Sequence, residues 1–193
     1  MFPLRAVRIV LFVLAVSSFV PQAAFSAPME TLAEGDQGKI EFKTLTQTRD
    51  QFLAGSKAGK DVVISGRLDF PKTDGRVPVV IMSHGGGSVD RGDTEWASEL
   101  RSMGVATFVV DSFGPRKDPA DCKDDPSPDA TPNTARFDDA IGALRYLQSR
   151  PFVIQDRVAS FGWSQGGQYA MSVINGPTLE RARARGVALP RVG

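Results

Sequence analysis

The sequence has little cysteine, little histidine and little net charge. Its 193 residues include one cysteine and one histidine, and Lys plus Arg exceed Asp plus Glu by 23 to 22. A single cysteine excludes a disulfide within the chain, and one cysteine with one histidine excludes a zinc site of Cys and His ligands. The formal charge of +1 gives no basic surface for nucleic acid. We therefore expect no nucleic-acid partner, no metal and no other cofactor.

The N-terminal segment has the pattern of an export signal. Two arginines precede an apolar run over residues 9–20, which is short for a membrane span of about 20 residues. Ala24 and Ser26 then stand at the spacing that a signal peptidase recognises. We expect residues 1–26 to be a cleaved signal peptide of a bacterial, secreted or periplasmic protein with no stable membrane anchor after cleavage. Residues 27–193 would form one domain. An uncleaved anchor is the alternative.

The hydropathy pattern predicts five strands after this signal. Loose alternation of apolar residues at 39–45 and 61–68 predicts two early strands, paired antiparallel. Continuous apolar runs are typical of strands buried on both faces of a parallel sheet. Such runs lie at residues 77–82, 105–110 and 157–162.

Helices are predicted between these later strands and after the last of them. The first covers residues 94–103 and would be capped by Thr94. The second would start after Asn133 and end at Pro151, and the third covers residues 164–174. This alternation is typical of right-handed βαβ units around a parallel sheet. The tail from residue 178 is expected to be weakly structured.

The strongest chemical signal is a serine flanked by glycines, G-W-S-Q-G-G at residues 162–167. It lies between a predicted strand and a predicted helix. That context matches the G-x-S-x-G nucleophile elbow, in which a strained turn exposes the serine hydroxyl above the sheet. We therefore predict that Ser164 is a nucleophile. A plain glycine-rich turn is the alternative.

A second glycine-rich turn, H-G-G-G at residues 84–87, follows the first buried strand. Backbone N–H groups of such a turn can stabilise the oxyanion of an acyl-transfer transition state. One donor is expected to be the N–H of Gln165, directly after the serine, and the other that of Gly86 or Gly87. His84 is expected to brace the loop, and a role as base for the serine is the alternative. A phosphate-binding loop is rejected, since no G-x-G-x-x-G is present and the following aspartates would repel phosphate.

The two motifs together carry a resemblance to a known fold. M-S-H-G-G-G at residues 82–87 with the serine motif at 162–167 resembles an α/β-hydrolase. The segment at residues 91–116 is similar to the dienelactone hydrolase family, in its secreted, serine-bearing branch, and the likeness covers roughly residues 38–190. The resemblance implies an α/β fold with a mostly parallel sheet and flanking helices. It also implies hydrolysis of small carboxylic esters or lactones through an acyl-enzyme on Ser164.

Two departures from this family change the expectation. Dienelactone hydrolases proper carry a cysteine where this sequence has Ser164, so a generic carboxylic ester is expected rather than a dienelactone. The family's acid and histidine follow the nucleophile. After Ser164 this sequence has no Asp and no His, and Glu180 is the only later acid.

From the second departure we expect a C-terminally truncated hydrolase that lacks the last strands of its sheet. The chain alone would then be inactive or very weak. One alternative is a non-catalytic fragment or pseudoenzyme. Another is a chain completed by a second, complementing chain that supplies the acid and the histidine.

The loop over residues 115–132 gives weaker signals. It is expected to be a solvated insertion, and a roof over the site is the alternative. Its aspartates lack the Gly and the closing Glu of a calcium loop, so no metal is expected there. Cys122 lies in this loop, and we hypothesise that its disulfide partner belongs to the missing segment. Asp111, just before the loop, is interpreted as a loop cap, with an orienting acid as the alternative.

Overall fold

The computed structural model describes residues 37–47, 50–51, 54, 56, 58–116, 135–172 and 175–184. The predicted signal peptide, Asn133 and Cys122 lie outside these residues. The described elements follow the chain in this order: β1 (Gly38–Thr46), β2 (Lys60–Asp69), β3 (Val77–Ser83), α1 (Arg91–Ser102), β4 (Ala106–Asp111), a 3-10 turn (Gly114–Arg116), α2 (Ala135–Gln148), β5 (Val153–Gly162), α3 (Gln165–Ser172) and α4 (Gly176–Ala184).

The described strands form one sheet in the order β1-β2-β4-β3-β5. β1 pairs antiparallel with β2, and β2 pairs antiparallel with β4. β3 lies at the centre of the parallel part, between β4 and β5. The predicted antiparallel early pair is therefore confirmed. The three apolar runs form the parallel part of the sheet, as predicted.

Helices cover both faces of this sheet, which explains why β3 is apolar from Val77 to Met82. Val79 and Ile81 face the core that includes Phe108 and Leu147, on the side of α2. The alternate residues of β3, such as Met82, face the opposite side and pack with Ala97 of α1 and Val109 of β4. Because successive side chains of a strand point to opposite faces, a strand between two helical layers needs apolar residues at every position.

β5 is the edge strand on the side of the serine motif. No strand within the described ranges pairs with its outer side, and Gln155, Asp156, Arg157 and Ala159 are exposed there. The fold is thus the predicted α/β-hydrolase arrangement of a mostly parallel sheet with flanking helices, and β5 is at the edge of the sheet that the described residues form. An open edge presents unpaired N–H and C=O groups to other chains. None of the described helices is long and apolar enough to cross a membrane.

The predicted start of α1 at Thr94 is wrong. Asp90 caps this helix, because its Oδ1 accepts hydrogen bonds from the N–H groups of Gly92 at 2.7 Å and Asp93 at 3.2 Å. The Asp93 carboxylate accepts in return from the Asp90 N–H at 2.8 Å, which completes a capping box. Thr94 lies inside the helix, where its hydroxyl donates to the Arg91 carbonyl. An aspartate in place of the usual Glu or Gln concealed this signal.

Two other boundaries differ from the prediction. β5 begins at Val153 rather than residue 157, since exposed polar residues on an edge strand interrupt the apolar pattern. The chain from Gly176 to Ala184 forms the helix α4, although the tail from residue 178 was expected to be weakly structured. This segment is helical despite its weak apolar periodicity, and residues 185–193 lie outside the described part.

A buried ion pair ties the end of β4 to helix α2. Arg116 donates to both carboxylate oxygens of Asp139 at 2.7 and 2.8 Å, and to the Ser112 carbonyl at 2.6 Å. The two side chains are only 4% and 1% exposed. Burial raises the pKa of Asp139, and the guanidinium of Arg116 opposes that rise. The pair holds the turn after β4 against α2.

We predict that Asp139→Asn lowers the free energy of unfolding by about 3 kcal/mol, because it leaves the buried Arg116 without its counter-charge. Urea unfolding of the two proteins measures the difference. The matched control is Glu95→Gln, which breaks the exposed Arg91–Glu95 pair and should leave stability almost unchanged. Equal losses in both variants would contradict the structural role assigned to the buried pair.

Candidate active site

Ser164 occupies a strained turn between β5 and α3. Its φ is +51°, and it is the one non-glycine residue with positive φ in the described part of the chain. A left-handed conformation costs a residue with a Cβ roughly 1–2 kcal/mol. The side chain is nevertheless exposed at the end of the sheet. This observed strain, in an exposed hydroxyl-bearing residue, is the geometry predicted for a nucleophile elbow.

The flanking glycines allow three pieces of backbone to meet. A Cβ on Gly162 would lie 2.6 Å from the carbonyl group of Gly166 and 2.8 Å from the Ser83 carbonyl oxygen. A Cβ on Gly166 would collide with that same oxygen. The end of β3, the end of β5 and the start of α3 therefore approach more closely than any side chain permits.

The predicted oxyanion turn lies beside the serine. Ser83 and Gly162 are partners in the parallel register of β3 and β5, so the turns that follow both strands leave the same sheet edge. A Cβ built on Gly85 would be 3.9 Å from the Ser164 Cβ, and one on Gly86 would be 3.5 Å from the Gln165 Oε1. The structure thus brings Ser164 and Gln165 together with the glycine turn.

Gly87 makes no such contact with the serine motif. A Cβ built on Gly87 would meet no heavy atom of the described residues within 4 Å. Of the two glycines proposed as the second donor, Gly86 is therefore the one that the structure places against the serine motif.

His84 is fully buried and holds the turn from inside. Its Nε2 lies 3.3 Å from the Ser112 N–H, which can only donate, so Nδ1 carries the proton and donates to the Gly85 carbonyl at 2.9 Å. The Phe113 ring packs edge-on against the imidazole, with the two ring centroids 4.9 Å apart. Burial lowers the pKa of His84, and the charge of Arg136 lowers it further. These contacts favour the loop brace over the base, since both ring nitrogens are bonded to backbone groups.

Asp111 acts as the expected cap of the loop after β4. Its Oδ1 accepts hydrogen bonds from the N–H groups of Phe113 at 3.2 Å and Gly114 at 2.8 Å. These contacts stabilise the turn that leads into the buried Arg116. No group of three or more His, Cys, Asp or Glu side chains able to hold a metal ion occurs among the described residues.

One residue of the site was missed by sequence reasoning. Arg136, in the first turn of α2, is only 3% exposed and donates to Gln165 Oε1 at 3.0 Å. It also donates to the carbonyl oxygens of Gly85 at 3.2 Å and of His84. An isolated arginine beside a Pro- and Asp-rich loop looks like a solvated charge, so the sequence pattern carried no signal that could have found it.

The strand order, with a strained serine after β5 and a glycine turn after β3, is that of an α/β-hydrolase fold. A sequence profile of the prolyl oligopeptidase family matches residues 96–184, which include Ser164. The Bacillus subtilis (strain 168) protein YtaP, which is named as a hydrolase, is 32% identical over 117 residues. That match covers 51% of this chain and 39% of YtaP, so the chain spans about two fifths of its curated relative.

Solved structures of hydrolases are similar over part of the chain. Est1E from Butyrivibrio proteoclasticus, described with bound ferulic acid, is 25% identical with a TM-score of 0.47, over 65% of this chain and 46% of Est1E. A dienelactone hydrolase from Anabaena variabilis is 22% identical with a TM-score of 0.46, over 69% of this chain and 56% of that enzyme.

We predict that Ser164→Gly is more stable than Ser164→Ala by about 1 kcal/mol, because only glycine adopts the left-handed conformation without a Cβ penalty. Thermal or urea unfolding of both variants measures the difference. The control is the same pair at Gln168, which is exposed in α3, where alanine should be the more stable residue by about 1 kcal/mol. The same sign at both positions would show that Ser164 is not strained in solution.

We predict that His84 contributes stability to the fold that is lost as the pH falls below 6.5. The pKa of His84 is lowered in the folded chain, so the unfolded state binds the proton more readily and is favoured by acid. Because the chain has one histidine, an NMR titration of the imidazole reports His84 alone. A folded-state pKa at or above 6.5 would contradict the buried, neutral assignment.

Proposed function

We propose that this chain is a serine hydrolase of carboxylic esters or lactones, similar to the dienelactone hydrolases. The observation that carries the proposal is the positive φ of Ser164 at an exposed turn beside the glycine turn after β3. The match to YtaP, a protein named as a hydrolase, supports the general reaction class. Export of the protein is part of the same proposal and is based on the signal pattern of residues 1–26.

In the proposed reaction, the Ser164 Oγ attacks the acyl carbon of a bound ester and its proton passes to a base. The negative charge moves to the former carbonyl oxygen, where the N–H groups of Gln165 and of Gly86 or Gly87 stabilise it. The alcohol then leaves with a proton, and water hydrolyses the acyl-enzyme. Loss of one such N–H donor from an oxyanion hole typically costs a factor of about 10²–10³ in rate.

The base is the incomplete part of this mechanism. The sequence has one imidazole, that of His84, and both of its nitrogens are bonded to backbone groups. An active site that keeps its oxyanion hole and binding contacts without its base still accelerates hydrolysis about 10³–10⁴-fold over water. We therefore propose a weak activity for this chain, and a higher one if a second chain supplies an acid and a histidine.

The second candidate function is a non-catalytic one, in which a ligand binds beside Ser164 without turnover. It is supported by the contacts of His84, since both nitrogens of this imidazole bond to backbone groups. The strained serine argues for the catalytic candidate, because a binding site alone does not require a left-handed conformation at that residue.

We expect slow, saturable hydrolysis of a short aryl ester that is faster than in Ser164→Ala, whose remaining activity would come from the oxyanion hole and binding contacts alone. We also expect covalent labelling of Ser164 by a fluorophosphonate, which Ser164→Ala abolishes. The labelled residue is identified by mass spectrometry of the digested protein. Ser149→Ala is the matched control, since Ser149 is an exposed serine after α2 and should not affect either reaction.

Each result assigns the chain to one candidate. Labelling without turnover would show an elbow that reacts once but lacks a base, and turnover regained on adding a partner would support the complementing chain. Equal hydrolysis by the wild type and Ser164→Ala would refute the serine mechanism. Neither labelling nor turnover, in a chain that unfolds cooperatively, would favour the non-catalytic candidate.

A further inference from the structure

We propose that Arg136 is a positioning residue that orients the oxyanion turn toward Ser164. The inference rests on the proposed function for its catalytic consequence, although the arrangement of the turn can be tested without activity. Arg136 would not touch the substrate. It would act through the backbone of His84 and Gly85 and through the side chain of Gln165.

The contacts of Arg136 connect the glycine turn after β3 with the residue that follows Ser164. Its Nη1 donates to Gln165 Oε1 at 3.0 Å and to the Gly85 carbonyl at 3.2 Å. Its Nη2 donates to the His84 carbonyl. One guanidinium thus holds two successive carbonyls of the turn after β3 and the side chain that follows the serine. The planar fork of arginine, with five N–H donors, is suited to such a set of acceptors.

Peptide geometry converts these contacts into an orientation of N–H groups. In a trans peptide the C=O and the following N–H lie in one plane and point in opposite directions. No cis peptide occurs in the described part of the chain. When Arg136 holds the His84 and Gly85 carbonyls, it therefore turns the N–H groups of Gly85 and Gly86 away from the guanidinium. Because glycine has no Cβ, the backbone of this turn can adopt many conformations, and its orientation depends on such external contacts.

The position of Arg136 is fixed by its surroundings. The guanidinium carbon lies 5.1 Å from the Phe113 ring centre and 4.6 Å from that of Tyr169. Tyr169 in turn packs edge-on against Phe137 of α2. Aromatic faces attract a cation, so these rings stabilise the guanidinium at the place where it meets the carbonyls. Positioning of this kind affects rate because a displacement of about 1 Å can cost 10²-fold.

The variants are chosen to separate charge, fork geometry and general destabilisation. Arg136→Lys keeps the charge but removes the planar fork, and Arg136→Gln removes both. Arg145→Gln, at an exposed position of the same helix, is the matched surface control. Asp139→Asn is the stability control, since it weakens the fold from the same helix through Arg116.

The first readout is the rate of ester hydrolysis, or of Ser164 labelling, at a temperature where every variant is folded. We expect Arg136→Lys and Arg136→Gln to lower kcat about 10- to 100-fold with little change in KM, since the lost interaction acts on the transition state. Arg145→Gln and Asp139→Asn should keep the wild-type rate. A wild-type rate in Arg136→Lys and Arg136→Gln would overturn the inference.

The second readout is NMR, which does not require activity. We expect the amide signals of Gly85 and Gly86 to move in both Arg136 variants and not in Arg145→Gln or Asp139→Asn. The His84 pKa should rise in Arg136→Gln, where Asp111 remains as the charged group acting on the imidazole. Unchanged Gly85 and Gly86 signals would overturn the inference. If the wild type shows neither turnover nor labelling, the proposed function fails and this readout still decides the role of Arg136.

Discussion

The close contact between the ends of β3 and β5 and the start of α3 is the constraint on which the site depends. At Gly162 and Gly166 the neighbouring backbone occupies the space that a side chain would need. Any Cβ there would collide with the Ser83 carbonyl or with the backbone of the turn itself. This contact forces the chain to reverse sharply after β5, and the reversal places Ser164 in its left-handed conformation. The glycine turn after β3 comes beside the serine for the same reason, since the two parallel strands end together.

Two buried arginines stabilise the surroundings of this contact in different ways. Arg116 is neutralised by a bidentate carboxylate, so it behaves as a structural ion pair between the turn after β4 and helix α2. Arg136 donates to carbonyl and amide oxygens and lies between two aromatic rings. Its charge also disfavours protonation of His84, whose neutral ring accepts the Ser112 N–H. The charge of Arg136 therefore helps to keep His84 in the neutral form that holds the glycine turn.

The strands of the core could be predicted because burial on both faces demands continuous apolar residues, as in β3 and β4. The same logic failed at the start of β5, where an exposed edge tolerates polar residues at 155–157. The cap of α1 was missed because Asp93 takes the place of the usual Glu or Gln in the capping box. Helix α4 has only a weak apolar periodicity, so the hydropathy pattern did not predict it.

The amino-acid sequence by itself determined the serine motif, the glycine turn and the alternation that yields a mostly parallel sheet, because these depend on local steric freedom and hydropathy. It also determined that the single histidine precedes the serine. Only the tertiary structure decided that both nitrogens of His84 bond to backbone and that Gly86 lies against the serine motif. It alone placed Arg136 inside the site, because contacts between residues 51 positions apart have no signature in the local pattern.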